Sequence, residues 1–374
     1  MHSQGSGVPD ELRLMLTAGL SVAIGGAVGA LVLFVLARAS RNRLFAPVGP
    51  VRPAVNGMAV VAAFAAFVAI TPVASALLHA AGFFRALYGD DFPAGWPAKA
   101  AEAVRFLWSA VFAFPFQFGV VVAILTAQGG VSTIVPRGWA RHAVAGYLTW
   151  LLVTPVAFCV FALANLAHDW LTGQPPDKHP LTELGQSGGT QEWFLFVMQT
   201  VCLAPIIEEM LFRGLLLPWL AQTQPSESDA TFAVKPSDRP LAIMALSVGV
   251  ALVLHAHDTQ MAWQAGDWRG VAAHLVPAAF FLALLPLDLV ARRIGRLRRH
   301  LRLRSVQHVR AIVASSALFA AVHSQVWPSP VPLFVLAIGL GYLYIRTRSL
   351  VGPVVVHAMF NAVSAVYLLI GGPA

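Results

Sequence analysis

Three ionisable side chains crowd into an otherwise apolar stretch, Ile206-Ile207-Glu208-Glu209-Met210-Leu211-Phe212-Arg213-Gly214. On a helix, Glu209 and Arg213 stand four residues apart and share a face, where they can pair. Glu208 is turned away by about 100° and escapes that pairing. A carboxylate left over in a low-dielectric setting is suited to take a proton from water as a general base. Two later segments carry polar groups of a complementary kind, Phe319-Ala320-Ala321-Val322-His323 and His357-Ala358-Met359-Phe360-Asn361. From Val306 to the C-terminus there is no Asp or Glu, so any acidic partner of these histidines comes from another helix. His357 and Asn361 present an imidazole and an amide from one helical face, and both can donate to an anionic oxygen. Taken singly, each residue reads as part of a buried ion network or as a packing histidine. Two histidines, an asparagine and a Glu-Glu pair on three apolar segments favour chemistry.

The elements that hold these groups must be membrane helices. The chain of 374 residues is 57% hydrophobic and 11% charged, more apolar surface than a soluble core could hide. Stretches such as 14–37, 54–84, 106–136 and 142–168 lack Asp, Glu, Lys and Arg over the ~20 residues that span hydrocarbon. The expectation is an all-α polytopic bundle of about ten transmembrane helices, near 14–37, 54–81, 105–127, 142–166, 193–220, 240–257, 270–290, 308–325, 330–346 and 351–370. A charge at the centre of such a helix costs roughly 2.5–3.5 kcal/mol on insertion scales, so Glu208, Glu209 and Arg213 need compensation.

The net charge of +8 is concentrated in a run from Arg292 to Arg310, which next to membrane spans marks a cytoplasmic loop rather than a nucleic-acid site. Basic residues recur at every second boundary (Arg38, Arg41 and Arg43; Arg137 and Arg141; Arg346 and Arg348), and aspartates at the opposite ones, which predicts that both termini lie outside. The polar start, Met1 to Asp10, lacks the basic region of a cleaved signal, so the first apolar segment reads as a retained helix. Cys159 and Cys202 read as core thiols, and Gly25 and Gly29 as a helix-packing pair. Residues 1–192 form N-terminal transmembrane helices; 193–374 carry the chemistry, interrupted by an inserted segment at about 222–307.

The ordered set Glu208-Glu209-x-x-x-Arg213, Phe319-x-x-x-His323 and His357-x-x-x-Asn361 resembles the three motifs of the CAAX protease and bacteriocin-processing (CPBP, or Abi) family, over residues 193–370. The resemblance implies an intramembrane endopeptidase acting on a membrane-associated peptide, prenylated or bacteriocin-like, within the lipid of a cell membrane, plasma or inner. It implies that Glu208 and His323 activate water, that His357 and Asn361 stabilise the oxyanion, and that Glu209, Arg213 and Phe319 support the site. Glu208, His323 and His357 could supply three ligands to a divalent metal such as zinc, or water could be held between Glu208 and His323 without one. The long link from Arg213 to Phe319 departs from the family pattern and bears on substrate class more than on chemistry.

Counted at 1.5 Å per residue from the basic boundaries, His357 would lie roughly 10 Å deep but Glu208 and His323 roughly 20 Å, so tilt or a kink at Pro205 must bring them together. That proline would also leave a backbone carbonyl free near the site. Other motifs read as decoys. Gly185-Gln186-Ser187-Gly188 lies in a polar loop, and His255-Ala256-His257-Asp258 with His274 reads as an interfacial polar cluster more readily than as a metal site. Asp288 reads as the i+4 partner of Arg292. No HExxH occurs. A proton-coupled transporter using the same buried Glu and His residues is the rival reading, for which inverted repeats, not found here, would speak.

Overall fold

The computed structural model describes residues 55–89, 98–134, 136–172, 189–222, 237–293 and 306–369. Among them every extended element is helical, as backbone in hydrocarbon must satisfy its polar groups within each segment. The helices are α1 (Gly57–Ala80), α2 (Phe83–Tyr88), α3 (Ala98–Ala127), α4 (Trp139–Thr172), α5 (Thr190–Leu220), α6 (Arg239–Leu254), α7 (Ala256–Gln264), α8 (Trp268–Leu284), α9 (Pro286–Arg293), α10 (Val306–Ala321), α11 (Pro330–Thr347) and α12 (Val351–Leu369). The chain is a polytopic α-helical membrane protein.

The expected segment 14–37, the Gly25–Gly29 pair and the Gly185–Gly188 string lie outside the described residues. Each of the other nine expected spans is helical, yet six helices among the described residues are long and apolar enough to cross, or seven if the pair α6–α7, bent by 48°, counts as one crossing. Helix α10 explains part of the shortfall. Its 16 residues reach only about 24 Å, short of the ~30 Å hydrocarbon thickness. Thirteen of them are buried, including His308 and Arg310, so α10 is an inner helix sheathed by protein rather than lipid.

Helices α5 and α10 form the centre, with α1, α3, α11 and α12 packed on α5 and α6, α9 and α11 on α10. The outer helices turn apolar side chains outwards, as Met58, Val68 and Leu77 of α1 do. The same holds for Cys159 and Cys202. Both are free and exposed, which corrects their assignment as core thiols: an apolar segment in lipid has no polar face, so sequence does not say which side is inside. Helices α4 and α12 touch where Gly146 meets Gly352; a Cβ on Gly146 would come within 2.6 Å of the Gly352 carbonyl oxygen, so glycine sets the distance of α12 from its neighbour.

The inserted helices are tied to the core by charge. Asp288 of α9 accepts from Arg310 Nε and Nη2 at 2.6 and 3.1 Å, and Arg310 Nη1 donates to the Ser237 carbonyl and the Gln307 side chain. Arg310 thus leaves the basic loop run in which it was read and becomes a buried core cation. The side chain of Arg292, the expected i+4 partner of Asp288, lies outside the described residues; Arg310 reaches Asp288 from a different helix, which spacing along one helix does not reveal.

The start of α5 is fixed at its polar end. Glu192 accepts from the Gly189 N–H at 2.8 Å and from the Tyr88 hydroxyl at 3.0 Å, and Trp108 Nε1 donates to that hydroxyl. Burial, reinforced by the Glu192 carboxylate, pushes the Tyr88 phenol up to about 12, so it stays a donor throughout the physiological range.

Candidate active site

Helix α5 is not uniform. Two π-helical segments, Met198–Leu203 and Met210–Leu216, flank the short α-helical piece Ala204–Glu209 that bears the Glu pair. Each π turn inserts a residue and re-aims the side chains beyond it, a device frequent at functional sites. The register has a second effect. The Ala204 N–H bonds the Gln199 carbonyl, and the next donor in line would be that of Pro205, which has none. The carbonyl so released belongs to Thr200, and Asn361 Nδ2 of α12 donates to it at 2.8 Å. The free carbonyl expected from Pro205 is therefore present and is taken by the asparagine of the third motif. Asn361→Ala is expected to leave that carbonyl unsatisfied and cost about 1–3 kcal/mol, read as an earlier unfolding midpoint in detergent. A midpoint equal to wild type would refute the tether.

Glu209 is fully buried and occupied on one oxygen by two groups. Its Oε1 accepts from Arg213 Nη1 at 2.7 Å and faces His357 Nδ1 at 2.9 Å. Arg213 also donates Nη2 to the Ala337 carbonyl, and its guanidinium lies over the Phe319 ring, 4.8 Å from the centroid. The i+4 pairing read from sequence is present, but Glu209 does a second job that spacing did not reveal: it orients the imidazole of His357. With Nδ1 so engaged, Nε2 of His357 points to Glu208, 3.9 Å from Oε2. That separation is too long for a direct hydrogen bond and suits a bridging third group. Glu208 Oε2 is buried without a protein partner, as its rotation away from Arg213 required.

His323 sits just beyond the end of α10, where its Nδ1 contacts the Phe319 carbonyl at 2.7 Å. A carbonyl accepts only, so Nδ1 carries the proton and Nε2 keeps its lone pair. Both imidazoles pack on Phe319, with ring centroids 4.9 Å away for His323 and 5.6 Å for His357. The three polar helices therefore meet around one aromatic ring, and His357 of α12 lies within contact of the Glu pair of α5. Of the predicted residues, Glu208, Glu209, Arg213, Phe319 and His357 form one connected cluster with His323 on its ring side, while Asn361 turns its amide nitrogen to the α5 backbone.

A metal at Glu208, His323 and His357 needs three ligand atoms gathered on one point. Among the described residues, His255, Asp258 and His274 have one ligand atom each within 4.8 Å of one another. His255 also reaches the site's edge, with Nε2 2.8 Å from the carbonyl oxygen of Ser324, the residue after His323.

Residues 190–363 match the family model for type II CAAX prenyl endopeptidase Rce1-like proteins. No curated protein and no solved structure gives a significant match.

Proposed function

Given that residues 190–363 belong to the CPBP family in its Rce1-like form, we propose that this chain is an intramembrane endopeptidase that hydrolyses a peptide bond near the C-terminus of a prenylated, membrane-held peptide. The observation that carries the proposal is the buried, unpartnered Oε2 of Glu208 facing Nε2 of His357 across 3.9 Å.

Water held between Glu208 and the lone pair on His323 Nε2 loses a proton to Glu208 as its oxygen attacks the peptide carbonyl carbon. In the form with protons on both ring nitrogens, His357 donates Nδ1–H to Glu209 and Nε2–H to the developing alkoxide. The intermediate collapses by breaking the C–N bond, and the departing amine takes the proton from Glu208. Glu209 and Arg213 touch no reacting atom; they hold the His357 ring, and Phe319 sets the spacing of the two imidazoles. The same arrangement suits a cell-membrane setting, plasma or inner, where prenylated chains are held in the bilayer.

The test is cleavage by purified protein in liposomes of two peptides of equal sequence, one farnesylated on its cysteine, with products identified by mass spectrometry. The farnesylated peptide is expected to be cut roughly tenfold faster or more, since a single lipid chain concentrates it in the bilayer. Failure to cut either peptide sinks the endopeptidase reading; equal rates sink the prenyl preference alone.

A further inference from the structure

We propose that His255, Asp258 and His274 form a binding site for a zinc-class divalent cation on the inserted helices, apart from the candidate active site. One ligand atom from each of the three lies within 4.8 Å of the others, and the two imidazole rings are tilted with centroids 6.2 Å apart. The residues come from three places. His255 closes α6 at the 48° bend, Asp258 stands in the first turn of α7, and His274 projects from α8.

The state of His255 supports ligation rather than mere polarity. It is buried, and Nε2 contacts the Ser324 carbonyl at 2.8 Å, which obliges that nitrogen to carry the proton and leaves Nδ1 as the lone-pair atom. A histidine whose other ring N–H is pinned to a backbone carbonyl is the usual form of a metal-ligating imidazole, fixed in tautomer and orientation. Two imidazole nitrogens and one carboxylate oxygen make a borderline donor set suited to zinc, and the exposed side of Asp258 leaves a fourth position for water. The α7–α8 tip bears the exposed pair Trp263 and Trp268, packed edge to face at 4.7 Å, the residue type of a membrane–water boundary. An ion here fastens the bend between α6 and α7 to α8 and, through His255 and Ser324, to the turn that carries His323.

The test is zinc content and thermal unfolding of the purified full chain in detergent after equilibration with zinc and removal of the excess. Wild type, Glu208→Gln and His357→Ala are expected to retain about one zinc per chain, as three protein ligands with one open position allow, and to unfold later with zinc than with chelator. Asp258→Asn and His274→Ala are expected to hold zinc roughly a hundredfold more weakly and to lose the thermal shift. Asp258 is exposed, so its asparagine variant folds and reports on ligation even if the His274 variant does not. Absence of bound zinc in wild type overturns the proposal, as does loss of zinc in His357→Ala with retention in Asp258→Asn, which would move the ion to the candidate active site. Because neither readout is proteolysis, the result stands whether or not the chain cuts prenylated peptides.

Discussion

Glu208→Gln is expected to lower kcat/KM for peptide hydrolysis by about 10²–10⁴-fold while the protein unfolds at the same temperature as wild type. Glutamine keeps the shape and the hydrogen-bonding reach of the side chain but cannot take a proton from water. The fold has no stake in this charge. Arg213 bonds Glu209, and His357 Nδ1 is likewise held by Glu209, whereas the atom that changes, Glu208 Oε2, makes no hydrogen bond to the protein. Steady-state cleavage of the farnesylated peptide and thermal melts in the same detergent separate the two effects. Hydrolysis at the wild-type rate would remove Glu208 from the mechanism. A parallel loss of stability would mean that its carboxylate belongs to the structural ion network instead.

Arg213→Ala is expected to do the reverse, lowering stability by about 3–5 kcal/mol. Both members of the pair are fully buried, so truncating the cation leaves Glu209 as an uncompensated charge among apolar side chains. The loss spreads beyond the pair. The guanidinium also donates to the Ala337 carbonyl and stacks on Phe319, so α5 loses its fastening to α11 and to the ring that spaces the imidazoles. Arg213→Lys keeps the charge but not the planar fork or the stacking, and is expected to recover only part of the stability. Removing both charges in Glu209→Gln with Arg213→Leu is expected to be less harmful than Arg213→Ala alone, because no buried charge is then orphaned. Unfolding by added denaturing detergent measures the series. An Arg213→Ala protein as stable as wild type would show that the pair contributes nothing to the fold.

Much of the architecture was legible in the chain. Long uncharged stretches announced the helices, and the few charges inside them stood out because a membrane segment carries them only at a cost. The i+4 interval between Glu209 and Arg213 gave their pairing and left Glu208 over, and the structure has both. The lost donor of Pro205 gave the freed carbonyl. Less legible was the number of crossings. Hydrophobicity alone does not distinguish α10, an inner helix walled by protein, from a helix that meets lipid, and the same blindness put Cys159 and Cys202 in the core when both face outwards.

What the sequence determined by itself is what local geometry can carry: which segments are helical, which residues share one face of a helix, and which charge is left without a neighbour. Only the tertiary structure decided which groups meet across helices. It gave Nδ1 of His357 to Glu209 and Nε2 to Glu208, set Arg310 against Asp288, and drew His255, Asp258 and His274 together. The physical reason is that spacing along one helix fixes angles about that helix alone. The meeting of two helices depends on close approach, as at Gly146 and Gly352, and on π turns that shift register by a residue. Each such residue swings every later side chain by about 100°.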